Sequence, residues 1–380
     1  MKLSLITTNI SKYKFGLLLI SSHFLLLYVM YRSFGLNDGL EGDKYLTQAN
    51  YLVKGEFHKA FAYQYLYSGY IIYLSFFKIL HLSNYFIFIS NYILSMCSYL
   101  LFYKLLKKKT EDAHAKVWIT LVLLSPIIQY WNLSLFSETF FISMNLLFFS
   151  ILFSNRFKFK NSLLIVLGIF LVFSRPNGII SLGLFLSMYI VFKQKMSIKK
   201  TTTIFCAFSI ILFLAYYYFI PLHYKGYCVD ITKGSIYCGF PQFQNPITPV
   251  KDYTLNECYV FLYNQYGLWF LTKLCIQKMG SFFILSRPYY SPFHNTINSF
   301  HSIFYIFSFI GIFKTTHENK FKKWLSILSI WIVLINALLI GIFFNEWSER
   351  YTVVVFPFIF ILATNGIIFC YNSIKSKIAV

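Results

Sequence analysis

Residues 15–34 read FGLLLISSHFLLLYVMYRSF, a stretch with one histidine and one arginine that is otherwise apolar, aromatic or hydroxyl-bearing. A helix of this length covers about 30 Å, the thickness of the hydrocarbon core of a bilayer. No small-residue cleavage site follows, so we predict a first spanning helix rather than a signal peptide. Apolar stretches of about 15 to 20 residues recur along the chain between short polar loops. This layout predicts an all-α, polytopic transmembrane helical bundle.

The overall composition excludes a soluble globular protein. The chain is 57% hydrophobic and only 12% charged, whereas soluble domains carry about 25% charged residues. So few charges cannot cover a surface that faces water. We therefore interpret residues 1–380 as a single transmembrane domain with two long outer loops, at about 35–84 and 221–297.

The charges fall mainly on alternate loops. Loops on one predicted side carry 21 of the 34 lysines and arginines but only 3 of the 13 acids. They lie at 2–14, 104–116, 156–160, 193–200, 314–323 and 375–377. This is the positive-inside pattern, so the net charge of +21 orients the protein in the plasma (inner) membrane rather than binding nucleic acid.

Ten spans with both termini in the cytoplasm fit these charges. Their predicted limits are about 15–34, 85–103, 117–131, 138–153, 162–175, 178–192, 203–220, 298–313, 325–344 and 351–371. The aromatic segment 63–82 is predicted to be a juxtamembrane or re-entrant helix on the outer side, because a span there would move the lysines of 104–109 outside. The alternative is an eleventh span.

A short hairpin at 162–192 is predicted to break at the sequence SRPNG, residues 174–178. Basic loops flank both of its ends, yet the segment is too short for two full spans of about 20 residues. Proline and glycine interrupt a helix. Two half-helices would place Arg175 below the outer surface, and a buried arginine at that depth indicates a functional site.

Further acids and arginines cluster at the same outer end of the predicted bundle. The first outer loop holds Asp38, Glu41 and Asp43, and Glu138 opens a later apolar helix. Arg287, His294, Glu349 and Arg350 complete the outer set. Arginine binds phosphate with two hydrogen bonds, and a carboxylate can remove a proton from a hydroxyl or bind a metal ion. Together they suit a lipid-phosphate sugar donor.

Four short motifs in this order resemble the GT-C superfamily of membrane glycosyltransferases, in particular bacterial enzymes related to protein mannosyltransferases and lipid A aminoarabinose transferases. The motifs are the acidic loop with Tyr45, Ala49, Leu52 and Gly55; Ser137 with Glu138; Arg175 to Gly178; and Arg350 with Tyr351 before Pro357. Together they span most of the chain.

The resemblance implies a GT-C-like fold and inverting transfer of a sugar from a polyprenyl-phosphate donor to a glycan, lipid or protein acceptor at the outer face. It implies a catalytic acid in the first outer loop, for which we favour Asp43 with Glu41 close behind. From the outer cluster of charged residues we predict substrate binding by Glu138, Arg175, Arg287, His294, Glu349 and Arg350. Asp43 and Glu138 are also candidate ligands for a divalent cation, Mg or Mn.

Two other classes of protein share part of this pattern. An O-antigen-type polysaccharide polymerase also has many spans and a large outer loop, but it has no need of the acids at 38–43. A lipid-linked sugar transporter or flippase would favour internal inverted repeats, and the sequence shows none.

Cys228 and Cys238 lie in the large outer loop and are predicted to form a disulfide, because an outer loop faces an oxidising space. The bond would close a short ring and contribute about 2–3 kcal/mol of stability. Alkylation of denatured protein from native membranes, followed by intact-mass measurement, should modify five of the seven cysteines before reduction and all seven after it. Alkylation of all seven cysteines without reductant would contradict the pairing.

Overall fold

A computed structural model describes residues 2–61, 65–154, 157–197, 200, 203–207, 210–211, 214, 234–236, 255–314, 319–342 and 350–378. Over these residues the chain is all-helical, as predicted, with one isolated β-bridge between Asn37 and Ser134. The first eight helices are α1 (Lys2–Phe34), α2 (Leu40–Val53), α3 (Phe57–Phe61), α4 (Ser68–Ile79), α5 (Asn84–Lys109), α6 (Asp112–Leu123), α7 (Pro126–Asn132) and α8 (Ser137–Leu152). The remainder are α9 (Lys160–Val172), α10 (Gly178–Lys193), α11 (Leu255–Phe283), α12 (Pro292–His301), α13 (Ile303–Lys314), α14 (Lys320–Ile342), α15 (Arg350–Val353) and α16 (Phe356–Ile378).

Five helical segments of the described chain are long and apolar enough to cross a membrane. They are Lys14–Phe34, Asn84–Lys109, Pro292–Phe313, Lys320–Ile342 and Phe356–Ile378. Three shorter apolar helices, α8, α9 and α10, accompany them. The chain is therefore a helical membrane protein, whereas the count of ten spans and the sidedness of its loops stay predictions. Most of the predicted span 203–220 lies outside the described residues.

Three predicted spans are each divided into two helices. The segment 298–313 is divided at Ser302, between α12 and α13. The segment 117–131 is broken between α6 and α7, where Ser125 accepts a hydrogen bond from the Ile128 amide and Pro126 begins the new helix. Proline has no N–H to donate to the preceding turn, so the helix restarts there. The last predicted span, 351–371, is likewise divided into α15 and α16.

The aromatic segment 63–82 contains α4, a helix of 12 residues. Such a helix covers only about 18 Å, so it is too short to cross the hydrocarbon core alone. The helix ends at Ile79, and His81 just beyond it adopts a left-handed conformation with φ of 52°. The segment is therefore not one of the candidate spans, in line with the prediction of a juxtamembrane or re-entrant helix. Which side of the membrane it occupies stays a prediction.

The predicted break between α9 and α10 is confirmed. Helix α9 ends at Val172 and α10 begins at Gly178. The turn is so tight that a Cβ atom on Gly178 would lie 1.9 Å from the Leu171 carbonyl oxygen, so only glycine fits. The Phe173 carbonyl accepts a hydrogen bond of 2.7 Å from the Gly69 amide. This bond attaches the start of α4 to the break.

Helix α8 is the centre of the bundle, because every residue from Ser137 to Leu152 is buried. Close helix approach elsewhere depends on glycine: a Cβ atom on Gly311 in α13 would lie 2.1 Å from the Leu362 carbonyl oxygen in α16. Small residues allow such contacts between membrane helices. A hydrogen bond of 2.9 Å from the Trp118 indole to the Pro357 carbonyl joins α6 to α16.

The predicted orientation can be tested on two exposed side chains, Lys108 at the end of α5 and Asp43 in α2. In a cysteine-free background, Asp43→Cys should react with a membrane-impermeant maleimide on intact cells. Lys108→Cys should react only after the membrane is permeabilised. Labelling of Lys108→Cys on intact cells would contradict the ten-span arrangement.

Candidate active site

A buried carboxylate lies at the centre of the candidate site. Glu138, at the start of α8, is fully buried, and its Oε1 lies 2.5 Å from Nη1 of Arg175 and 2.5 Å from Nε of Arg350. The two arginines come from the break after α9 and from the start of α15. Three of the motifs singled out in the sequence therefore meet at one oxygen atom.

The fourth motif joins this cluster through the first outer loop. Nη1 of Arg350 lies 3.6 Å from Oε2 of Glu41, and Glu41 also forms an ion pair of 3.1 Å with Lys44. Nη2 of Arg350 donates a 3.5 Å hydrogen bond to the hydroxyl of Tyr45. Glu41, Glu138, Arg175 and Arg350 thus form a cluster of two acids and two arginines, which we call the acid–arginine cluster.

Aromatic and hydroxyl groups surround the guanidinium groups of this cluster. Arg175 donates a 3.3 Å hydrogen bond from Nη1 to the Ser137 hydroxyl, and its Cζ lies 5.2 Å from the ring centre of Tyr351. Cζ of Arg350 lies 5.1 Å from the ring centre of Phe136. Cation–π contacts of this kind stabilise a desolvated guanidinium. Burial raises the pKa of Tyr45 well above its ordinary value, so its hydroxyl keeps its proton at neutral pH.

Backbone contacts explain how the first outer loop reaches the cluster. The Asn37 amide donates to the Leu133 carbonyl at 2.7 Å, and the Leu135 amide donates to the Asn37 carbonyl at 2.9 Å. This short parallel bridge fixes the start of α2 beside the start of α8. At the opposite side, Asn177 donates a 2.7 Å hydrogen bond to Asn336, so the break also contacts α14.

A cavity of about 270 Å³ opens beside the cluster, between α1, α7 and α12. Glu41 and Arg350 line it, whereas Glu138 and Arg175 lie behind them. Apolar walls come from Met30, Phe34, Ile127, Phe136 and Ile297, and further polar groups come from Asn37, Tyr130, His294 and Asn298. Apolar walls with a few convergent polar groups are typical of a small-molecule site.

The structure separates the two candidate bases. Glu41 lines the cavity, and 17% of its side chain is exposed. Asp43 has an exposed side chain and does not line the cavity. Residues two apart on a helix point to opposite sides, since each residue turns the helix by about 100°. The geometry therefore favours Glu41 over Asp43, although it does not test catalysis by either.

The other predicted residues have mixed positions. His294 lines the cavity, with its ring stacked 4.0 Å from that of Tyr290. Arg287 is buried outside the cavity lining, where it donates hydrogen bonds to the Ile284 and Ser286 carbonyls. Glu349, Cys228 and Cys238 lie outside the described residues.

The residues present do not fit the divalent cation suggested for Asp43 and Glu138. Asp43 is exposed on the outer face of α2, and Oε1 of Glu138 is held by two guanidinium groups that would repel a cation. The described part of the chain contains no group of three His, Cys, Asp or Glu side chains that could hold a metal ion.

Several cavity residues carried no signal in the sequence. Tyr130 lies in α7, and Asn37 donates a 3.0 Å hydrogen bond to its hydroxyl. Asn298 donates to the Leu285 carbonyl at 3.0 Å. Asn298 could have been noticed as a polar residue in an apolar segment. Tyr130 is one of 31 tyrosines and could not have been distinguished from the others.

Comparison of the chain with protein-family models, with curated proteins and with solved structures finds no match.

The ion pairs of the buried cluster should dominate stability, since removing one partner leaves a buried charge without its counter-charge. We expect Glu138→Gln to lower the free energy of unfolding by about 3–5 kcal/mol. Thermal unfolding in detergent should show a clearly lower midpoint. The variant Glu56→Gln is the control, because Glu56 is only half-buried and its partner Lys59 is exposed, so loss of this pair should leave the midpoint almost unchanged.

The double variant Glu138→Gln, Arg175→Gln should lose less stability than the two single variants added together, because the groups are in direct contact. Strict additivity of the two losses would show that the ion pair contributes nothing.

Proposed function

We propose that the chain is a membrane glycosyltransferase that moves a sugar from a polyprenyl-phosphate donor to a glycan, lipid or protein acceptor of the cell envelope. The observation that carries the proposal is the meeting of Glu41 and Arg350 at one cavity, with Glu138 and Arg175 buried behind them. A carboxylate and a guanidinium at one cavity provide the two groups that transfer from a sugar phosphate requires.

Arg350 is assigned to the donor phosphate. Its guanidinium lines the cavity, and Glu138 holds its Nε so that Nη1 and Nη2 lie on the side of Glu41 and Tyr45. A guanidinium fixed in this way can donate two parallel hydrogen bonds to phosphate oxygens. Arg175 lies behind Glu138 and acts as a positioning residue through it.

Glu41 is assigned as the general base. Its carboxylate takes the proton of the acceptor hydroxyl as the hydroxyl oxygen forms a bond to the anomeric carbon of the sugar. The bond between that carbon and the phosphate oxygen breaks, and its electron pair leaves with the polyprenyl phosphate. The configuration at the anomeric carbon is inverted. Arg350 stabilises the negative charge that the phosphate gains.

The proposal includes a location. The positive-inside pattern of the loops supports cytoplasmic termini and an acid–arginine cluster at the outer side of the plasma membrane. The acceptor would therefore be a component of the envelope. The apolar wall of the cavity, formed by α1, α7 and α12, suits a donor with a lipid tail.

The base assignment can be tested with two matched variants on the same helix. Glu41→Gln should lower transfer by about 10²–10⁴-fold, the usual contribution of a positioned base. Asp43→Asn should transfer at close to the wild-type rate, because its side chain is exposed outside the cavity. Mass spectrometry of envelope glycans from a deletion strain would first identify the missing sugar. The purified variants would then be assayed with that sugar on polyprenyl phosphate.

The outcomes of this comparison are distinct. Inactive Asp43→Asn with active Glu41→Gln would move the base to Asp43. Wild-type transfer by the variant that carries both substitutions would remove the acidic loop from the mechanism. Arg350→Lys keeps the charge but loses the planar fork, so it should raise the KM for the donor more than it lowers kcat.

A further inference from the structure

A second and larger cavity lies among the basic loops, apart from the acid–arginine cluster. It has a volume of about 760 Å³ and lies where α5, α10 and α14 meet. Six lysines line it: Lys108, Lys109, Lys193, Lys195, Lys320 and Lys323. They come from three separate parts of the sequence, so the fold itself brings them together.

The positive charge of this basic cavity is not neutralised by the described acids. Asp112, in the adjoining turn, is held by Lys107 at 3.0 Å and Lys116 at 2.7 Å, neither of which lines the cavity. None of the six cavity lysines forms an ion pair with an acid among the described residues. Because like charges held near one another repel, an anion in the cavity would lower the electrostatic energy.

Contacts between distant segments hold the walls of the basic cavity in place. Asn319 donates a 2.8 Å hydrogen bond to the Lys109 carbonyl at the end of α5 and accepts one of 3.2 Å from the Lys322 amide at the start of α14. The positive end of the α14 dipole therefore faces the same space as the lysines. The ammonium of Lys109 lies 5.7 Å from the ring centre of Phe192, so the ends of α5 and α10 are in contact here.

Lys195 has a backbone conformation that favours glycine. Its φ is 53°, and the Met196 amide donates to the Val191 carbonyl at 3.2 Å to close the end of α10. Glycine is the usual residue at this position of a helix end, because a side chain is strained there. The chain nevertheless has a lysine there, and that lysine lines the cavity. Strained residues of this kind cluster at binding sites.

The position of the basic cavity points to the surface of a membrane. Helices α5 and α14 are candidate spans, and the cavity lies at the end of one and the start of the other. Alongside the lysines, the lining includes Phe192, Met196, Phe321 and Trp324. A site of this kind offers charge to a headgroup and apolar contact to the glycerol and upper acyl chain.

We propose that the basic cavity binds the phosphate-bearing headgroup of an anionic phospholipid in the leaflet on the side of the basic loops. The lysines hold the phosphate, and the aromatic wall contacts the lipid below it. A bound lipid would bridge α5, α10 and α14, and so stabilise the bundle at this end. The proposal does not depend on glycosyl transfer.

The test uses the full chain in dodecylmaltoside, titrated with dioleoyl phosphatidylglycerol and read by native mass spectrometry. The double variant Lys193→Ala, Lys323→Ala should bind the lipid about 30-fold more weakly, since each lysine near an anionic lipid contributes about 5-fold. The matched control is Lys375→Ala, Lys377→Ala, which removes the same charge from the exposed end of α16 and should bind like the wild type. Equal weakening by both pairs would overturn the proposal, because the attraction would then be diffuse.

Competition with other ligands identifies the source of the phosphate. Dioleoyl phosphatidylcholine should bind weakly, and sodium phosphate should not displace phosphatidylglycerol at equal concentration. Displacement by sodium phosphate would overturn the lipid assignment in favour of a soluble anion.

A third variant guards against misfolding. Lys195→Gly should unfold at a higher temperature than the wild type yet bind phosphatidylglycerol about 5-fold more weakly. Unchanged binding by this more stable variant would also count against the site.

Discussion

Burial of the Glu138 carboxylate is the constraint on which the end of the bundle that holds the acid–arginine cluster depends. Taking an ion out of water costs several kcal/mol even after relaxation, and an ion without a partner in the hydrocarbon region would be worse. Two guanidinium groups on one carboxylate oxygen offset that cost, and they come from positions 37 and 212 residues away along the chain. Helix α8, the break after α9 and the start of α15 are consequently held in one arrangement.

The cluster also explains why the hairpin 162–192 is too short to cross a membrane twice. Two full helices of about 20 residues would move the turn away from the start of α8, and Arg175 would then lie too far from Glu138 to pair with it. The short α9 and α10 instead bring residues 173–177 to the level of α8, and Gly178 permits the tight contact with Leu171. Residues 174–178 of the turn are buried in protein, which is the environment that irregular backbone inside a membrane requires. The short length of the hairpin therefore determines the position of Arg175.

Much of this arrangement could be predicted from the sequence, because strong local signals mark it. The apolar run 15–34, the break at 174–178 and the four motifs are all present in the structure, and the structure brings the motifs together. The acid that faces the cavity was harder to predict, because the motif contains both Glu41 and Asp43. The answer follows from the phase of α2: Tyr45 and Ala49 are buried, and Glu41 precedes Tyr45 by one turn.

Other features depend on contacts between distant segments, which a single sequence does not reveal. The bridge of Asn37 to Leu133 and Leu135 fixes the first outer loop, yet neither segment carries a strand pattern. The division of 117–131 at Pro126 could have been predicted from the proline. The basic cavity could not, because its lysines had already been explained by the positive-inside pattern, and only the fold brings 108–109, 193–195 and 320–323 together.

The acid–arginine cluster and the basic cavity differ in how their charges are paired and exposed, so they should respond differently to salt. In the acid–arginine cluster the charges are buried, or half-buried in the case of Glu41, and paired within 4 Å, so salt in solution screens them little. In the basic cavity the lysines are exposed or half-buried and lie near one another without acids among the described residues. Their field extends about 8 Å at physiological ionic strength and weakens as salt is added. The first arrangement fixes the geometry of its charged groups, as the proposed glycosyl transfer requires. The second leaves positive charge open to an anion, as the proposed lipid binding requires.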